Sequence, residues 1–155
     1  MKHSLLVTLT SFVVLAGCGG PGENATIPEA QPAAATNANI GDHVVHFSAI
    51  STDQLPTDVA QLYGIVRSKN RAMLNVSVLD DDGIPVTADV AVQTVNLTGQ
   101  VKNVSIREIR EDTAIYYIGD VGVANRETLV FDISVTPEGE TTASDLRFKR
   151  QFYTD

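Results

Sequence analysis

From Gly41 onward apolar and polar positions alternate with a period of two, the mark of strands that bury one face. Val45, Phe47 and Ala49 alternate with Val44, His46, Ser48 and Ile50, which predicts a first strand whose first set faces a core. In "QLPTDVAQLYG", Pro56 stands near a helix start and Gly64 just past its end. That order predicts a helix of about two turns bridging two strands. Ala72, Leu74, Val76 and Val78 then alternate with Met73, Asn75, Ser77 and Leu79 up to "DDDGIP", and Val86, Ala88, Val90 and Val92 resume the pattern. Turn residues between two alternating runs predict a hairpin.

Four more strands are predicted, over 101–110, 113–119, 127–136 and 144–153. Leu129, Phe131, Ile133 and Val135 give the sixth strand an apolar face, opposed by Thr128, Asp132 and Ser134. In the last strand Leu146, Phe148 and Phe152 face inward, with Arg150 the odd member of that set. Seven short strands and one short helix predict an all-β chain, an immunoglobulin-like antiparallel β-sandwich over residues 41–155. Within it, "EDTAIYY" (111–117) is similar to the segment of immunoglobulin variable domains that carries the tyrosine corner. The resemblance implies that Tyr116 bonds back to backbone near Asp112 and that Ile118 stands where those domains place a disulfide cysteine. Both cysteines and the buried tryptophan of that pattern are missing.

The pattern before Gly41 is different. A short basic start (Met1, Lys2, His3) leads into an apolar stretch from Leu5 to Leu15, broken by Thr8, Thr10 and Ser11. That is about half of the roughly 20 residues a spanning helix needs, so residues 1–17 read as a secretory leader. Leu15-Ala16-Gly17-Cys18 closely resembles the bacterial lipobox. The resemblance implies cleavage before Cys18, a diacylglyceryl group on its sulfur and acylation of the new N-terminus. Each buried methylene contributes about 0.8 kcal/mol, and two or three acyl chains hold where one binds reversibly. Gly19 is not the aspartate that retains a lipoprotein in the inner membrane, so the expected address is the outer membrane, on its periplasmic face. Residues 18–40 are mostly Gly, Pro, Ala, Asn, Thr and Glu, too poor in apolar surface to offset ordering, and read as a lipidated cysteine followed by a disordered tether.

Composition narrows the function classes. The formal charge is −8, with 19 acidic against 11 basic residues, and it falls to −9 once Lys2 leaves with the leader. Such a balance opposes nucleic acid and anionic headgroups. A single cysteine forms no intrachain disulfide, so stability must come from packing. No Gly-x-Ser-x-Gly, HExxH, CxxC or phosphate loop is present, and no cofactor or enzymatic activity is implied.

Three clusters remain as candidate sites. His43 and His46 lie three apart, so one regular strand points them to opposite faces and denies both to one metal ion. Asp80, Asp81 and Asp82 supply carboxylates for calcium but lack the spacing of an EF-hand loop, and read better as a solvated turn. Arg67, Lys69 and Arg71 form a basic patch that either docks an acidic partner or neutralises nearby carboxylates. "REIRED" (107–112) is expected to make cross-strand ion pairs on a wet face. The Asn-x-Ser/Thr sequons at Asn24, Asn75, Asn96 and Asn103 read as coincidence in a bacterial lipoprotein.

The strings "YGIVRSKNRAMLNVSVLDDDGIPVTADV" (63–90), "REIREDTAIYYIGD" (107–120), "ETLVFDISVTPEG" (127–139) and "LRFKRQFYTD" (146–155) resemble an exported bacterial family known as domain of unknown function 4426. The resemblance brings no activity, cofactor or catalytic residue. The sequence therefore points to a lipid-anchored, non-enzymatic module that binds another envelope protein or supports envelope assembly through a sheet face or the 65–71 loop. The alternative is a small-ligand or metal-binding domain using the Asp80–Asp82 turn or His43.

Overall fold

The computed structural model describes residues 35–155; the leader, Cys18 and most of the tether lie outside the described residues. The described chain is nearly all β. Its strands are β1 (Asn37–Ile40), β2 (His43–Ser51), β3 (Arg71–Asp80), β4 (Ala88–Asn96), β5 (Val101–Lys102), β6 (Arg107–Glu111), β7 (Ala114–Gly122), β8 (Glu127–Pro137) and β9 (Ser144–Phe152), with one short helix, α1 (Thr57–Leu62). Every pairing is antiparallel. One sheet has the order β1-β2-β3-β7-β6 and the other β5-β4-β8-β9.

The predicted alternation places the core between the sheets. Val45, Phe47 and Ala49 of β2, Ala72, Leu74, Val76 and Val78 of β3, and Leu129, Phe131, Ile133 and Val135 of β8 are all buried. Phe148 of β9 stacks on Phe131 with ring centroids 4.8 Å apart and meets Phe47 of the facing sheet at 4.9 Å. This aromatic run joins the layers, and each fully buried side chain of that size contributes about 1.5–3 kcal/mol.

A second cluster lies on the outer side of the five-stranded sheet, where Leu55, Ala60, Ile65, Met73 and Ile118 pack together. Met73 and Ile118 are outward residues of β3 and β7, and the 52–70 excursion covers them. Thr52, fully buried, ties that excursion: the single hydrogen of its Oγ1 is shared between the carbonyls of Val66 (2.9 Å) and Ser68 (3.0 Å), and the oxygen accepts from the Ser68 N–H (2.9 Å). As predicted, Pro56 stands at the helix start and Gly64, at φ +62°, follows its end.

The strand map differs from the sequence reading in three places. Residues 37–40, assigned to the tether, form β1 and pair with β2 through Ile40↔His43; Ile40 is buried in the main core, and that burial supports the short strand. The hairpin predicted across "DDDGIP" begins as one, with Asp80 N–H on Ile84 O (2.9 Å) and Val86 N–H on Val78 O (2.9 Å). It ends there, because both edges of β3 are occupied by β2 and β7, and β4 passes to the other sheet beside β8. The strand predicted over 101–110 is two strands on opposite sheets, β5 and β6. The crossing between them rests on Gly119, where an added Cβ would stand 2.7 Å from Val104 Cγ1 and 2.8 Å from Ser105 O.

The connections divide between the two ends of the sandwich. Segments 41–42, 81–87, 112–113 and 138–143 lie at one end, and 52–70, 97–100, 103–106 and 123–126 at the other.

Candidate functional site

The two outer faces are built differently. The excursion covers that of the five-stranded sheet, whereas the outward residues of β4, β8 and β9 stay open to solvent. Gln93, Asp132, Ser134, Asp145 and Arg147 line a shallow depression there of about 580 Å³. Asp132 and Arg147 are direct cross-strand partners, and the guanidinium grips both carboxylate oxygens through Nε and Nη2. The hydrogen bond from Arg147, opposed by slight burial and aided by its charge, holds the Asp132 carboxyl below the usual aspartate range. The face is polar and exposed to solvent.

A second constellation fastens the sheets together. The Tyr117 hydroxyl accepts the Ala88 N–H at 2.7 Å and donates to Glu108 Oε2 at 3.1 Å. Glu108 in turn accepts from Arg110, whose Nη2 reaches Thr87 Oγ1 at 3.2 Å. Burial raises the Tyr117 pKa, the Ala88 N–H opposes that and Glu108 adds to it. This closes the point where the chain passes from β3 to β4. The tyrosine that bonds to backbone is thus Tyr117, not Tyr116, because Tyr116 points outward and packs with the second cluster. Ile118 is buried in that same cluster, away from the inter-sheet core where the immunoglobulin comparison placed it.

At the far end Lys102 Nζ donates to Glu127 Oε2 (2.6 Å) and Gly122 O (2.9 Å), while Glu127 also accepts from Asn96 Nδ2 (3.0 Å) and the Ala124 N–H (2.8 Å). Burial is the largest influence on Glu127 and pushes its pKa up. The hydrogen bonds from Lys102, Ala124 and Asn96 outweigh it, and the carboxyl titrates below the usual 4.5.

The residues singled out in the sequence are dispersed. Arg67 donates to Thr57 Oγ1 (2.9 Å) and Asp53 O (2.6 Å), Lys69 to Asp155 O (2.7 Å), and Arg71 pairs with Asp120. The basic trio is therefore engaged in three directions. Asp80 Oδ1 accepts the N–H groups of Asp82 (3.0 Å) and Ile84 (2.8 Å), which makes the acidic run a self-bonded turn, with Asp81 and Asp82 exposed. His43 is half-buried opposite Ile40 and Asp80, and His46 is exposed on the other face opposite Asn37 and Ser77. Among the described residues no group of three His, Cys, Asp or Glu side chains is arranged to hold a metal ion. In "REIRED" the ion pair runs within β6, from Arg110 to Glu108, rather than across strands. Arg107 instead reaches the Tyr63 carbonyl and Glu111 accepts from the Tyr63 hydroxyl, so these two hold the excursion down. That bond, with burial, pushes the Tyr63 pKa up to about 12.

Tyr117, the Lys102–Glu127 pair and the Asp132–Arg147 pair belong to no motif in the sequence. For the last a signal existed: opposite charges on the outward sets of two consecutive strands.

The family model described as "Domain of unknown function (DUF4426)" matches residues 37–155. The chain belongs to the DUF4426 family. A DUF4426 family protein from Pseudomonas aeruginosa, known from a crystal structure, is 34% identical, with a TM-score of 0.68 over 77% of this chain and 94% of that one. No curated protein matches the chain. The family's boundary at residue 37 coincides with the start of β1, so the added strand belongs to the DUF4426 domain.

Proposed function

We propose that this DUF4426 protein is a non-enzymatic interaction module, lipid-anchored through Cys18 on the periplasmic face of the outer membrane, and that it binds another envelope protein through the open face of β4, β8 and β9. The reading is carried by the contrast between the outer faces: one is buried under 52–70, and the other presents Gln93, Asp132 and Arg147 with no covering element among the described residues. The lipobox at 15–18 supplies the address.

A photo-crosslinking residue at Gln93, exposed on that face, is expected to trap one reproducible envelope protein in cells. Exchanging the charges (Asp132→Arg with Arg147→Asp) keeps the ion pair and should abolish the capture. Recovery of lipoprotein-processing machinery alone would overturn the binding role. A Cys18→Ser variant that still fractionates with envelopes as before would overturn the anchor.

A further inference from the structure

The net charge argues against an anionic surface, but the fold distributes that charge unevenly. The connections 41–42, 81–87, 112–113 and 138–143 share one end and carry Asp42, Asp81, Asp82, Asp112, Glu138 and Glu140 with no lysine or arginine of their own. Among the described residues the one cation that hydrogen-bonds to them is Arg110 of β6, at Thr87, and it is paired with Glu108. At the opposite end Asp53, Asp58 and Asp155 share the surface with Arg67, Lys69, Arg126 and Arg150. Among the described residues Arg67, Arg126 and Arg150 have no carboxylate within ion-pair distance. Arg126 sits at φ +59°, a left-handed conformation unfavourable to a side chain, and is exposed in the 123–126 connection at that end. Exposed apolar side chains gather there too: Val66 (69% exposed), Leu97 (73%), Val101 (56%) and Tyr153 (62%), against Ile84 alone at the acidic end. Cations interleaved with apolar tips are the composition that engages a lipid interface.

Distance makes the segregation count. The ten residues of β3 run from one end to the other, about 33 Å at strand rise, whereas charges are screened over about 8 Å at physiological salt. A bilayer touching the Arg126 end does not feel the six carboxylates. The described chain begins opposite mid-β2, where Thr36 O accepts the Phe47 N–H, and β1 runs from there toward the acidic end. Sixteen residues separate Cys18 from Ala35 and could reach at most about 60 Å, enough to present either end, so the side chains decide which one docks.

We infer that the end of the sandwich formed by Val66–Lys69, Leu97–Val101, Arg126 and Arg150–Tyr153 docks on the anionic headgroups of the bilayer that holds the lipid anchor, with the acidic end turned away. The inference rests on the proposed anchor and deepens it by assigning an orientation.

The chain has no tryptophan, so single reporters are clean. The processed full-length protein, extracted from envelopes, is reconstituted as Leu97→Trp or Ile84→Trp into vesicles of phosphatidylcholine alone and of phosphatidylcholine with phosphatidylglycerol, each including brominated lipid. The expected result is emission at position 97 that shifts to the blue and is quenched several-fold more than at position 84, on the phosphatidylglycerol vesicles alone. High salt should reverse the quenching, and Arg150→Glu in the Leu97→Trp background should weaken it. Both reporters co-sedimenting with vesicles yet quenched equally, or not at all, would overturn the docking while leaving the anchor intact. Quenching at 97 that appears in native envelopes but on neither vesicle identifies a protein as the occupant and overturns it too. Failure to co-sediment with either vesicle removes the anchor itself and the docking with it.

Discussion

The outer faces of the two sheets differ in what they ask of their residues. On the five-stranded sheet Met73 and Ile118 point outward and are buried under Leu55, Ala60 and Ile65. On the four-stranded sheet the corresponding positions are Gln93, Asp132 and Arg147, which stay wet. The first is part of the folding machinery and the second is free to be surface. In this sandwich, then, an outward position is not automatically an exposed one, and the two faces should answer mutation in opposite ways.

The largest effect is expected from Ile118→Ala, which opens a cavity under the excursion and should cost about 2–4 kcal/mol in urea denaturation. Thr52→Ala removes a buried hydroxyl with three backbone partners and should cost about 2 kcal/mol, with hydrogen exchange rising first in 66–68. Gly119→Ala forces Val104 and Ser105 back from the sheet and is expected to cost about 1–3 kcal/mol, which thermal unfolding would read. Equal losses from Gln93→Ala would break the comparison.

Acid titration gives a smaller and more local effect. The folded Glu127 titrates below its ordinary value, so it adds stability above about pH 4.5. That contribution is lost as the pH falls through its depressed value. The Glu127→Gln variant should therefore be less stable at neutral pH and show a flatter decline below about pH 4.5 in denaturation midpoints. Smallest of all, Asp132→Asn should leave the thermal midpoint nearly unchanged, because an exposed pair contributes little; its measurable effect is expected in crosslinking at position 93.

Much of the sandwich was legible because period-two alternation reports which side of a strand is wet. Val45, Leu74 and Phe131 went to the core for that reason. What alternation does not report is which edge a strand uses. Val86 to Val92 read as the partner of β3, yet both edges of β3 are taken. The split of 101–110 was hidden for a related reason, since a chain that crosses between sheets can keep its alternating pattern, as Val104 and Ile106 do in packing toward the core. Met73 read as an ordinary outward residue and Ile118 as an inter-sheet one, because alternation alone does not report that the 52–70 excursion folds back over the outer face of β3 and β7. Of the candidate site, only the charges of Asp132 and Arg147 were visible. Their pairing required the β8–β9 register, and the two histidines and the aspartate run carried louder signals that the fold did not bring together.

The four residue pairs between β1 and β2 give the domain a mechanical fuse. Tension arriving from the N-terminal side enters through Asn37 and loads this short ladder along its length, while β2 is gripped by nine pairs to β3. A steady pull on that side is expected to strip β1 first, releasing about four residues of chain while β2 keeps its pairs to β3.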